Sequence, residues 1–439
     1  MKIWIRNTYF ILAVLIFCSA SVFFIFLASG YNYDFSKNKL EKTSVLYLKS
    51  YPRDAQIFLN DKEYKKLTPT EITHLKSDLY NIRIEKENYQ IWEKQLLIKP
   101  EQTVFIEDIS LFYKVPEVSI LENGKFQEIS VSPDKQNILF YDLEKKEVNI
   151  FNLNEERIIN IEEDIEEVNS SLWSSDNQKV LLEIGGKHFV SFVYFNEDLL
   201  DLDKYLNFTP QEIVWDKFDS NLIYLLTNNG DIYNFNLDRK ILKKIKLENV
   251  LGIKPEKDKL FYLTNEGTND SFNVYDLEKE VSEKLLDLGS SSSYSFQLPY
   301  HDYFCLKDID NTLYLIDPNT EEYLIKKFYN VKNLEWDLYN RILLLNNDFE
   351  IWSYDLPTEE ETLINRFSNK IENVFWHRNN NHVFYVIDNK VQVIELDNRD
   401  RKNIYPLDNI YNSQLFLANK KGNILYYITP SGLFESIIQ

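Results

Sequence analysis

Beyond residue 43 the chain is written in short alternations of apolar and polar residues. Segments 44–49, 55–59, 79–85, 92–98 and 103–107 carry the period of two that sends one strand face into a core and the other into water. Turn signals separate them, among them the pair Asn60 and Asp61. The pattern predicts a small antiparallel β-sandwich over 44–110.

From 111 onward a longer unit recurs. It consists of an apolar strand ending in a bulky residue, a polar turn, a strongly apolar strand, a third alternating strand and a charged tail. The bulky markers are Val131, Trp173, Trp215, Ile253, Phe296, Trp336, Trp376 and Phe416, which fall 38 to 43 residues apart. Second strands are read at 138–141, 180–183, 222–226, 260–263, 303–306, 342–345, 383–386 and 424–427. A period near 40 with several strands per unit predicts a β-propeller over 111–439. Such a ring leaves only short, protected sheet edges. The last unit stops at Gln439 after its third strand, and 115–121 can supply the missing outer strand and close the ring. This gives eight blades, or seven if one of the weaker units around Ile253 and Phe296 is an insertion. The fold class expected is all-β.

The first residues follow another rule. No charged residue lies between Asn7 and Tyr33, and 9–28 is almost wholly apolar. About 20 such residues in a helix match the hydrocarbon thickness of a bilayer, and a cleavable signal has an apolar region of only about 7–15. Lys2 and Arg6 precede the run. The positive-inside rule then predicts a cytoplasmic tail over 1–7, one transmembrane helix as signal anchor over 8–30, a polar linker over 31–43 and an extracytoplasmic bulk. The expected location is the cell membrane, single-pass. Cleavage near Ala28, Ser29 and Gly30 is the competing reading.

Within 44–110, Ser50, Pro52 and Ala55, then Asn60 and Asp61, then Thr68 and Pro69, then Tyr89, and finally Trp92, Glu93 and Lys94 stand in an ordered series. That series resembles the PEGA domain. The family's glycines are replaced: Asp54 precedes Ala55, Asp61 occupies the turn and Asn88 precedes Tyr89. Asp and Asn tolerate positive φ, so the resemblance implies the same fold. PEGA-like domains are associated with cell-envelope and surface proteins and carry no known catalytic set. In the repeats, segments such as 132–141 and 173–176 resemble TolB-type and tryptophan–aspartate-type propeller units, without most of their glycines.

Composition agrees with strands: aromatics make up 15% of residues. With only 10 Gly and 12 Pro, turns fall to Asn and Asp. The net charge of −20 is uneven. Residues 1–39 hold four basic and one acidic side chain and 40–115 balance, so the whole excess lies on the propeller. That sign repels phosphate backbones and anionic lipid, which argues against nucleic acid as a partner.

Candidate chemistry is sparse. His377 and His382 flank a turn and can hold a metal, but a turn and a strand start account for them equally. His301, Asp302 and Cys305 suggest a nucleophile relay, although a cysteine on an apolar strand is ordinarily buried and inert. Asp308, Asp310 and Thr312 have the alternating oxygens of a calcium loop without its glycine and closing glutamate. The acidic run 162–167 reads as a solvated link between blades. The stretch 289–293 reads as a flexible link, and Trp92, Trp173, Trp215, Trp336, Trp352 and Trp376 read as packing residues. No catalytic, cofactor-binding or metal-ligating residue, and no cofactor, is assigned. The sequence therefore points to a binding or scaffold protein of the cell envelope rather than an enzyme, its propeller engaging an envelope protein, with a surface glycan as the alternative partner.

Overall fold

In the second strand of each propeller unit the apolar residues do not alternate but run together. Ile138, Leu139, Phe140 and Tyr141 are all buried, as they must be when both faces of a sheet are covered by neighbours. The computed structural model describes residues 3–28, 31–34, 39–193, 199–265, 267, 269–289, 293–297, 303–337, 340–411 and 413–439. Among them, eight four-stranded antiparallel sheets succeed one another as blades. Their innermost strands are Phe126–Val131, Val168–Trp173, Pro210–Trp215, Val250–Glu256, Tyr294–Phe296, Asn333–Asp337, Ile371–Trp376 and Leu415–Ala418, taken here as blades 1 to 8.

Blade 8 closes the ring. Its outer strand is Glu117–Asn123, which pairs antiparallel with Gly432–Ile437 across a bulge between Ile120 and Glu122. Gly432 sits at φ 153°, and a Cβ there would collide with the Glu122 carbonyl oxygen. Three of the tryptophan markers bind neighbouring blades together in the same way. The indole of Trp173 donates to Ser130 Oγ, that of Trp215 to the Leu172 carbonyl and that of Trp376 to the Glu335 carbonyl. Each acceptor immediately precedes the marker of the previous blade.

The small domain is a sandwich of two sheets. One has the order Thr70–Leu75, Ser44–Tyr51, Thr103–Ser110; the other runs Lys62–Tyr64, Gln56–Leu59, Asp78–Glu85, Trp92–Ile98. The expected all-antiparallel pattern is corrected at one place: Ser44–Tyr51 and Thr103–Ser110 are parallel. The domain's first and last strands lie side by side, and a parallel pair needs the long crossover that the second sheet provides. The three glycine substitutes all take positive φ, 59° at Asp54, 61° at Asp61 and 69° at Asn88.

Two expectations for the N-terminal part fail. Residues Ile3–Ala28 form a helix, α1. Among the described residues, however, no helix is long and apolar enough to cross a membrane. The transmembrane helix, and the single-pass membrane location built on it, are therefore not supported. Ser29 and Gly30 of the alternative cleavage site lie outside the described residues. The segment read as a linker instead pairs Tyr31–Asp34 with Lys39–Lys42 as antiparallel strands.

Candidate functional site

Each blade's strands run alternately up and down, so the turns between first and second strands lie on one face of the ring. The turns between second and third strands, and the links to the next blade, lie on the other. The small domain is docked against the first of these faces, at blades 7 and 8, and against the outer strand of blade 7, Ile404–Tyr411.

The docking is built on buried charge. In the alternating strand Trp92–Ile98 the inward positions are Trp92, Lys94, Leu96 and Ile98, so a lysine occupies an apolar register. Lys94 is fully buried. Its ammonium lies 3.2 Å from Glu395 Oε2 and donates to the carbonyls of Asp397 and Arg401, each at 2.9 Å. Glu395 is completed by the Trp92 indole at 2.8 Å and by Asn403 Nδ2 at 2.8 Å. Gln90 donates to the Pro406 carbonyl, and the Gln95 amide donates to Asp400 Oδ2.

His377 and His382 meet at this junction. The His377 Nε2 donates to the Gly422 carbonyl at 2.9 Å and its Nδ1 accepts the Asn379 amide at 3.2 Å. His382 uses Nδ1 toward Asn379, and its Nε2 has no hydrogen-bond partner among the described residues. Phe112, from the segment joining the two domains, packs edge-on to both rings, at 5.8 Å and 5.4 Å. Burial pushes the His377 imidazole down to about 4 against the help of its two hydrogen bonds. Burial, His377 and Lys94 hold His382 well below the ordinary range. Both rings are neutral packing elements at neutral pH. Among the described residues no group of three His, Cys, Asp or Glu side chains converges as metal ligands would.

The remaining sequence candidates are dispersed. Cys305 is buried in the blade 5–6 core, and burial pushes its thiol up to about 12; His301 and Asp302 lie outside the described residues. Asp308 and Thr312 form a hairpin turn in which Asp308 Oδ1 accepts the Thr312 amide. The acidic run 162–167 lies on the face opposite the small domain, pinned where the Tyr141 hydroxyl donates to the carbonyls of Ile165 and Glu166. Residues 290–292 of the serine stretch are outside the described residues.

The central channel has unlike ends. Beside the small domain an ion pair from Lys135 of blade 1 to Glu335 of blade 6 laces across blades 7 and 8. Arg378 donates to the carbonyls of Ala418 and Lys135. The cavity left there is about 40 Å³. At the opposite end the mouth is open, about 510 Å³, and lined by Gln127, Glu128, Asn169 and Gln414 among others. Carboxylates of the inner strands have different partners: Glu128 is held by Ser171, Glu335 by Lys135 and the Trp376 amide, Glu256 by Lys217 and Glu212 by the Ile253 backbone. Burial raises the Glu212 carboxyl and lowers the Lys254 ammonium. Glu256 and Glu212 both act on the Lys254 ammonium and offset part of its burial.

The junction was not read from the sequence, although Lys94 on a core-facing position was a usable signal. The open face left none, because its residues come from separate turns.

The PEGA domain family model matches residues 43–108. No curated protein matches the chain. Among solved structures, the C-terminal WD40 domain of Sif2 superposes with a TM-score of 0.52 at 14% identity, covering 74% of this chain and 99% of that one. The computationally designed Ika8 protein gives 0.49 at 12% identity over 72% and 97% of the two chains. The Cps50 (Swd1) β-propeller domain of Myceliophteria thermophila gives 0.41 at 12% over 74% and 100%. The first of these shows the β-propeller fold and says nothing of activity. The expected TolB-type resemblance is not supported by these matches.

Proposed function

We propose that the protein is a non-enzymatic binding scaffold whose propeller engages a protein partner on the face opposite the PEGA domain. The observation that carries this reading is the division of labour between the two faces. One face is occupied by a domain held through Lys94 and Glu395, and there the channel is laced shut. The other presents an open channel mouth, the acidic link 162–167 and the exposed side chains Ile309, Tyr329 and Phe349. Apolar side chains gathered on one exposed surface mark an interaction site. The excess negative charge of the propeller favours a basic partner. The PEGA match favours an extracellular-type setting.

The test is cross-linking of the purified full-length protein to candidate binders in its native extract, with the linked peptides sequenced. Links concentrated on the open-face turns of the propeller support the reading. Links confined to the PEGA domain, or none to any protein, refute it.

A further inference from the structure

On the open face, blades 5 and 6 enclose a groove of about 640 Å³, within the size range of small-molecule sites. Its walls come from four successive turns and links. Asn311 follows the Asp308 turn, Asn330 and Lys332 lie in the link to blade 6, Asn347, Asp348, Phe349 and Glu350 form the next hairpin, and Arg366 and Phe367 close the far side.

The charged groups of the groove are already spent on one another. Asp348 Oδ1 is 3.5 Å from Lys332 and 3.3 Å from Lys370. Glu350 is gripped by two nitrogens of Arg366. Lys332 also donates to the Ile371 carbonyl at 2.6 Å. The hairpin is fixed in place, because Asn347 Oδ1 accepts the amides of Phe349 and Glu350, and the Phe349 carbonyl accepts the Phe367 amide.

What remains for a ligand is neutral. Among the described residues the side-chain amides of Asn311 and Asn330 have no hydrogen-bond partner, and both residues are exposed. The Phe349 ring is 48% exposed at the rim, and Tyr329, beside Asn330, is 67% exposed. Free planar amides each offer donors and an acceptor together, which matches the vicinal hydroxyls of a sugar. An exposed aromatic ring packs against the C–H face of a pyranose. An ionic ligand would find every charge partnered.

We infer that this groove binds a neutral oligosaccharide, with Asn311 and Asn330 contacting hydroxyls and Phe349 stacking on a sugar ring. This site shares Tyr329 and Phe349 with the face read above as protein-binding, so the experiment below is chosen to fail separately from the cross-linking test. The test is an array of immobilised neutral, sulfated and uronic-acid oligosaccharides probed with the full-length protein. Any neutral glycan retained is then titrated calorimetrically. Both asparagines have positive φ, 61° and 57°, so Asn311→Gly and Asn330→Gly remove the amides without backbone strain.

The expected result is retention of at least one neutral glycan, with affinity falling about tenfold or more in Asn330→Gly and in Phe349→Ala. Unchanged thermal unfolding of these variants separates lost contact from lost fold. Retention of acidic glycans alone, no retention at all, or retention unaffected by the variants overturns the proposal. Loss of protein cross-links in Phe349→Ala without any glycan binding would reassign the groove to the protein partner.

Discussion

The Lys94–Glu395 contact makes a sharp quantitative claim. Lys94 is fully buried and Glu395 nearly so, so neither charge can be hydrated by a small movement. Glu395→Gln keeps the side chain's shape and its acceptor for the Trp92 indole, but leaves the ammonium facing carbonyl dipoles alone. Breaking one side of a buried pair costs about 3–5 kcal/mol. The Asp397 carboxylate at 4.0 Å offers partial compensation, which places Glu395→Gln near the lower end, at about 3 kcal/mol. Lys94→Met removes the opposite charge and leaves the acid buried, with a cost in the same range. The double variant removes both charges, and its loss should fall short of the sum of the two by about 2 kcal/mol. Urea unfolding of the full-length chain, followed by tryptophan fluorescence, measures all three, and Trp92 reports locally because its indole is bonded to Glu395. Single losses below about 1 kcal/mol, the range of an exposed ion pair, or strictly additive losses would refute the reasoning.

Three further outcomes follow from the same geometry. His377 and His382 are held neutral, with folded values depressed below the unfolded value of about 6.5. The unfolded chain therefore binds more protons below that pH, and stability present above it should fall as pH drops toward 4, by about 3 kcal/mol for His377 alone; a flat stability between pH 7 and 4 would contradict this. Cys305, buried with its thiol pushed up to about 12, should resist maleimide in native buffer and react in denaturant, while exposed Cys18 labels at once; mass spectrometry of peptides distinguishes them. Gly432→Ala sets a methyl group against the Glu122 carbonyl at an unfavourable φ and should cost about 3 kcal/mol or more, read as a lowered melting temperature.

The propeller was legible because its defining feature is periodic. A bulky residue ending each innermost strand repeats near every 40 positions, and closure by the segment before the first blade follows from a last unit that lacks a strand. Asp54, Asp61 and Asn88 were legible in the small domain because positive φ selects few residue types. The parallel pair was not, since alternation is the same in parallel and antiparallel strands. The apolar N-terminal run read as a membrane span, yet no described helix meets the length and apolarity that crossing demands. The docking site was hidden for another reason: Lys94 and Glu395 lie on different domains, and nothing local to either names its partner. A lysine in phase with Trp92, Leu96 and Ile98 nevertheless announces a buried charge, and a buried charge requires a counterpart. The groove between blades 5 and 6 is built from successive turns and links that the packing of adjacent blades sets side by side.

The connection between the domains determines how much the docking matters to the rest of the molecule. Thr103–Ser110 ends the small domain and Glu117–Asn123 closes the propeller, so only a few residues separate the two. Of these, Leu111 and Phe112 are fully buried in a core shared by both domains, and burial of each such side chain is worth about 1.5–3 kcal/mol. Tyr113 continues the contact, stacking on Tyr89 at 4.3 Å while its amide donates to the Ile438 carbonyl of blade 8. The segment therefore has no freedom to act as a hinge. Moving the small domain away would pull Phe112 from between His377 and His382 and strain the closing pair of strands. A lesion at Lys94 should consequently loosen ring closure, and one at Gly432 should loosen docking. Hydrogen exchange provides the check: in Lys94→Met the amides of 432–437 should lose protection together with those of 92–98, and unchanged protection at 432–437 would show that the two events are separate.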